Sequence, residues 1–259
     1  MSSNHRGTQC ADIEEYCRNR YVYGKLLDVF HFEMEQRYFN AKRWLLNRMV
    51  SGYGVVCGLG VQLGEDGRSV VVAPGLALDK WGREIVVAAP SAPLPLPDAP
   101  EEAPEAHPEH ECAHDHETVG LFLCYHECLT NPVPVLNPEC GDTHACTPGT
   151  VCERYELVFR KGKLPAIEVE CPIPDLVYGN RINYAALANY VSGECPPCPE
   201  EPCIPLASIR LPEPGEPCPP EAVDISVRPI VYTNDLLHDL LVCLSQKGSH
   251  AEPRRGGKS

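Results

Sequence analysis

Aromatic side chains are scarce, at 7% of 259 residues, with only two tryptophans and three methionines. A core built from this chain must therefore be mostly aliphatic. Basic residues are also short, 22 Lys and Arg against 36 Asp and Glu, for a formal charge of −14. An acidic surface of that size repels nucleic acid and anionic lipid, so neither is an expected partner. No apolar run approaches the roughly 20 residues that a membrane span needs. Met1 to Gln9 is polar and has no apolar h-region, which gives no sign of export and suggests cytoplasmic synthesis.

Enzyme signatures are equally sparse. There is no G-x-S-x-G elbow and no H-E-x-x-H pair. Gly256-Gly257-Lys258-Ser259 looks like the end of a phosphate-binding loop, but the first glycine of that pattern would fall on Glu252. Gly52-x-Gly54 is followed by Cys57 where a dinucleotide fingerprint needs its third glycine. Cys146 lies two residues from His144, but neither residue is expected at a helix start, where a thiol would be activated. A cysteine-dependent enzyme is therefore the least favoured class.

What the chain has in excess is proline (27), glycine (20) and cysteine (15). Proline breaks helix interiors and central strands alike, which argues against an all-helical protein. The odd number of cysteines rules out a fully paired monomer. In a reduced compartment clustered thiols suggest metal before disulfides, although disulfides can form later.

Periodicity divides the chain. Residues 26–52 read as one amphipathic helix, with Asp28 as N-cap, Gly52 as stop, and Met34, Tyr38, Ala41, Leu45 and Met49 on one face. Charges run acidic first and basic last, as the helix dipole favours. That face suits either packing within the chain or a partner. The period then switches to two: Val55, Cys57, Leu59, Val61 and Leu63 alternate as one half-buried strand, with Cys57 a small core residue. Strands at Ser69–Ala73, Leu76–Leu78 and Arg83–Val87 complete a meander, with Pro74-Gly75 as a turn.

The expected fold is α+β, mainly β. A helix-plus-meander module covers 1–89, and a Pro/Glu/His-rich linker or insertion covers 90–117. A cysteine-rich antiparallel β-domain ending in a helix covers 118–248, followed by a loose basic tail at 249–259. In the third segment, strands are expected at Val119–Tyr125, Tyr155–Phe159, Ile167–Val169, Ile204–Leu211 and Val223–Val231. Helices are expected at Asn180–Val191 and from Thr233 or Asn234 onward.

Six cysteines are the candidate metal ligands. Cys195-Pro-Pro-Cys198 has the spacing that lets two thiolates grip one tetrahedral ion, and Cys203 follows five residues later. Cys140, Cys146 and Cys152 are evenly spaced upstream. A structural zinc site, disulfides and free thiols all remain open for these residues. The His107 to His116 cluster could bind a second ion, or be solvated linker.

Tyr23-Gly24-Lys25-Leu26-Leu27, Glu35-Gln36-Arg37-Tyr38-Phe39 and Leu46-Asn47-Arg48 run directly into Gly52-Tyr53-Gly54-Val55-Val56-Cys57-Gly58-Leu59-Gly60-Val61. Val72-Ala73-Pro74-Gly75-Leu76-Ala77-Leu78-Asp79 and Gly82-Arg83-Glu84-Ile85-Val86 follow. This block, residues 23–87, resembles an uncharacterised bacterial family associated with contractile phage-tail-like injection systems. Its glycine-strand-PG-x-A-x-D-x-x-G-x-x-I part is similar to a small β-module of phage tail, baseplate and fibre proteins. The resemblance implies a structural component of a phage-like particle, in the baseplate or fibre region, with other tail or baseplate proteins as partners and a homo-oligomer as an option. It transfers no catalytic residues. The reading from a different class is a free cytosolic zinc-binding adaptor whose acidic surface recognises a basic partner.

Overall fold

The structure, a computed structural model, describes residues 10–11, 13–97, 118–134, 146–179, 181–212 and 216–249. The expectations placed on most of the linker, on the His107–His116 cluster, on Cys140 and on nearly all of the basic tail lie outside the described residues.

The fold is α+β and mainly β, as the patterning predicts. Helix α1 (Val29–Leu46) begins where Asp28 and His31 form a reciprocal capping box. The Asp28 carboxylate accepts from the His31 backbone N–H, and the Asp28 N–H donates to the His31 ring. That arrangement satisfies amides with no intrahelical partner. The helix runs into one π-helical turn, Asn47–Ser51, and stops at Gly52 with φ of 77°. Trp44 is the buried residue of α1. The predicted stripe Met34, Tyr38, Ala41, Leu45 and Met49 is half-buried throughout.

The meander makes two small antiparallel sheets rather than one. Strands β1 (Gly54–Gly58), β4 (Gly75–Leu78) and β5 (Glu84–Val87) pair in the order β1-β4-β5, while β2 (Val61–Leu63), β3 (Ser69–Val72) and β6 (Leu94–Pro95) pair as β2-β3-β6. The long strand expected over residues 55–63 is thus cut in two. Leu59, buried, sits at φ of +56° between the halves. The register also shifts between Val55 and Cys57, so Cys57 is exposed instead of buried. A bulge moves every following side chain to the other face, which is why strict alternation misplaced this thiol.

A second correction concerns the start of the proline-rich segment. Residues 90–97 belong to the fold: β6 pairs with β3, and Leu94 and Leu96 pack against the core. Ser91 donates its backbone N–H to Val72 O at 2.9 Å and accepts from Val72 N at 2.9 Å.

The third sheet holds β7 (Thr118–Pro134), β8 (Cys146–Lys161), β11 (Ile204–Arg210) and β12 (Val223–Asp224), in the order β12-β11-β7-β8. A small pair, β9 (Val177–Tyr178) and β10 (Arg181–Ile182), precedes helix α2 (Tyr184–Val191). Residues 167–169 form no strand, and the strand expected over 223–231 reduces to β12 and one parallel bridge from Ile230 to Val55. Gly54 makes that bridge possible, because a Cβ there would lie 2.5 Å from the Pro229 carbonyl. Helix α3 (Asn234–Ser249) is capped by Thr233, whose hydroxyl accepts from Leu236 N at 3.2 Å.

The core does not divide at the proline-rich segment. Val55, Leu59, Val72 and Ile85 share one buried cluster with Leu121, Leu123, Leu206 and Ile209. Residues on both sides of 90–117 therefore lose their apolar surface to each other, and neither set buries its core alone.

Candidate functional site

The turn between β4 and β5 holds a densely bonded polar cluster. Asp79 is fully buried and Arg83 nearly so. The Arg83 Nε donates to Asp79 Oδ2 at 2.7 Å, while Asp79 Oδ1 accepts from the backbone N–H of Trp81 at 2.9 Å and of Arg83 at 2.8 Å. Burial pushes the Asp79 carboxyl up from its ordinary value, with the Arg83 charge and these hydrogen bonds pulling it back. The guanidinium lies over the rings of Trp81 (4.6 Å) and Tyr125 (4.4 Å), which ties the meander to β7. Tyr125 in turn donates its hydroxyl to Glu127 at 2.9 Å.

The same turn grips two other segments. Lys80 N donates to Pro202 O at 3.0 Å, and the Trp81 indole N–H donates to Pro199 O at 2.7 Å. On the α1 side, Asn47 Nδ2 donates to Gly82 O at 2.9 Å and to Glu84 at 2.8 Å, and Arg43 pairs with Glu84 at 3.0 Å. Gly82 has φ of +86°, and a Cβ there would sit 2.0 Å from the Trp44 carbonyl oxygen. Asp79, Gly82 and Arg83 all belong to the block that resembles tail-module sequences. In this fold they build a clasp.

Among the described residues the candidate ligand cysteines do not converge. Cys198 forms a disulfide with Cys10, 188 residues away, and Cys203 forms one with Cys124. Cys195 is an exposed free thiol, so the C-x2-C pair is split between two fates. Cys146 is free and exposed at the far end of β8; Cys152 is free, half-buried, and directly opposite Cys128 on β7. Cys140 lies outside the described residues. Disulfide sulfur no longer offers a thiolate, which removes Cys198 and Cys203 from any tetrahedral set. Among the described residues no group of three or more His, Cys, Asp or Glu side chains could hold a metal ion. Cys218 is buried, its thiol aimed at Arg210 O at 3.5 Å, and burial pushes its pKa up.

Sequence reasoning did not single out the surfaces that surround the clasp. Beyond Tyr125 and Tyr155 the β7–β8 hairpin continues to the Pro134–Cys146 pair as a two-stranded arm, much of it exposed. Around α2, Val177, Tyr178, Ile182, Tyr184 and Val191 are exposed. On α3, Leu237, Leu240, Leu241 and Leu244 recur at three- and four-residue steps and are all exposed. The outer face of α1 shows Phe32, Phe39 and Leu46. No helix among the described residues is long and apolar enough to cross a membrane. Exposed apolar patches of this kind are contact surfaces for protein, membrane or ligand.

These features define a β-rich α+β protein with one clasped core and several apolar projections. No protein-family model matches the chain, and no curated protein matches it significantly. Four solved chains do match, among them one in the crystal structure of TssK, at 13% sequence identity and a TM-score of 0.43. That match takes in 94% of this chain and 51% of TssK, so the chain spans about half the length of its neighbour. A likeness at this level carries no weight for function.

Proposed function

We propose that the chain is a non-catalytic structural component of a contractile, phage-tail-like particle, in its baseplate or fibre region. The observation that carries this reading is the division of labour between motif and surface. The residues resembling a tail β-module close a buried clasp, while α1, the β7–β8 arm, the α2 region and α3 carry apolar side chains outward. A subunit wedged among several neighbours needs that combination: a stiff centre and multiple contact faces, each small enough to be satisfied by a different chain. The acidic charge keeps such a part soluble before assembly. Its partners on this reading are other tail or baseplate proteins and copies of itself.

The test is mass spectrometry of sheathed particles isolated from the native host, with thiols trapped at lysis. The chain should co-sediment with the particles in fixed proportion to the other components. Its absence from intact particles overturns the assignment.

A further inference from the structure

The outer face of α1 carries a second apolar pattern, distinct from the half-buried stripe that packs inward. Val29, Phe32, Phe39, Leu46 and, in the π turn, Val50 are between 53% and 78% exposed. Gln36 and Arg43 fill the gaps between them and are exposed too. From Val29 to Val50 the steps alternate three, four, three, four, three, four. Over α1 itself this is a heptad seam, with Val29, Gln36 and Arg43 at one core position and Phe32, Phe39 and Leu46 at the other; Val50 lies past it in the π turn, where the rotation per residue differs. Such a seam on a helix held at its C-terminal end by Trp44 and Asn47 faces away from the chain's own core.

We propose that this seam pairs with the α1 seam of a second copy of the chain, antiparallel, as a short two-stranded coiled coil. Charge decides the occupant and its direction. In a parallel pair, Arg43 would meet the partner's Arg43 inside the seam and Asp28 would flank the partner's Glu33, both like-charge contacts. In the antiparallel register that sets each core position against the other, Val29 meets the partner's Leu46 and Gln36 meets the partner's Phe39. Arg43 then lies on the partner's Phe32, a cation over a ring. The flanking Glu35 meets the partner's Lys42, and symmetry makes that contact twice.

The flanking groups already have local neighbours, which hold them beside the seam without closing it. Lys42 lies 4.5 Å from the centre of the Tyr16 ring, and Tyr21 donates its hydroxyl to Glu35. Arg43 gives Nε to Glu84, leaves the rest of its donor fork for other contacts, and is still 48% exposed. The α-helical part of the seam is 18 residues long, a small interface whose affinity rests on the Phe32, Phe39 and Leu46 anchors rather than on area. The inference stands on α1 alone and does not depend on the particle assignment.

The experiment is sedimentation velocity of the purified full chain, disulfides intact, from about 1 to 100 μM. A monomer–dimer equilibrium is expected. Phe39→Glu should weaken the dimer at least about a hundredfold, with an unchanged thermal melt at dilutions where wild type is monomeric, because Phe39 is exposed in the single chain. Glu35→Lys or Lys42→Glu alone should weaken it about tenfold, since two attractive contacts become repulsive. The double variant Glu35→Lys/Lys42→Glu should restore wild-type affinity. A monomer at every concentration, a larger oligomer, or a dimer indifferent to Phe39→Glu overturns the proposal. Failure of the double variant to recover overturns the antiparallel register.

Discussion

Replacing Asp79 by alanine tests whether the clasp holds the fold together. The substitution removes the carboxylate opposite Arg83, whose side chain is only 5% exposed, and orphans two backbone amides that Asp79 Oδ1 satisfies. Breaking a buried pair from one side costs about 3–5 kcal/mol, because a cation is left without its counter-charge. The rings of Trp81 and Tyr125 offset part of that loss, up to about 2 kcal/mol for a desolvated cation–π contact, so the lower half of the range is expected. The readout is the urea midpoint by far-UV circular dichroism, with unchanged slope. Thermally, a protein of this size should lose roughly 2–4 °C per kcal/mol. The decisive comparison is the double variant Asp79→Ala/Arg83→Met. An apolar pair leaves no buried charge, so the double should be more stable than Asp79→Ala alone. Strict additivity, or a loss below about 1 kcal/mol for Asp79→Ala, would refute the reasoning.

Three further outcomes follow from named contacts. Gly82→Ala combines a left-handed φ with a Cβ driven against the Trp44 carbonyl, and should cost about 3 kcal/mol or more in the same urea assay; a near-neutral result would show that α1 is not seated on this turn. Opening the Cys124–Cys203 disulfide, which spans 79 residues, should cost up to about 4.5 kcal/mol from loop-closure entropy. Cys124→Ala/Cys203→Ala should therefore melt well below wild type, and equal melting would contradict a paired native state. With iodoacetamide, exposed Cys17, Cys57, Cys146, Cys171, Cys195 and Cys243 should label quickly, while buried Cys218, its thiol pushed toward the protonated form, should label last. One thiol reacting far ahead of all the others would instead revive a cysteine-enzyme reading.

Local signals carried much of the fold. The Asp28 cap, the Gly52 stop and the leucine-rich last helix all act within a few residues, and each stands where the pattern puts it; Pro74-Gly75 instead crosses from one small sheet to the other, with Gly75 already the first residue of β4. The misses share a different cause. Cys57 faces solvent because a bulge in β1 answers to its partner strand β4, which alternation along one strand cannot see. Residues 90–97 are ordered by β3 and by the core, so their proline content says little about their fate. The outer seam of α1 was readable, since its three–four alternation begins at Val29; the half-buried stripe Met34, Tyr38, Ala41, Leu45 and Met49, which has helical spacing of its own, masked it.

The cysteines show the limit most sharply. Spacing proposed Cys195 and Cys198 as a unit, because two thiolates three residues apart can reach one ion. The fold places Cys198 beside Cys10, whose neighbourhood is fixed by the π-helical turn that ends α1: Arg48 donates to Ala11 O at 2.9 Å and to Pro196 O at 3.0 Å. A pairing 188 residues apart is thus decided by where a helix lands on the clasp, not by any local motif. Cys203 is delivered to Cys124 in the same way, since Ile204 and Leu123 are register partners one residue away. Both disulfides therefore tie a segment on one side of the Asp79 turn to a segment the turn already holds, through Pro199 and Pro202. If the clasp loosens, the ends of both bridges are free to move apart in the reduced chain, so Asp79→Ala should slow oxidative refolding more than it lowers the stability of the oxidised protein.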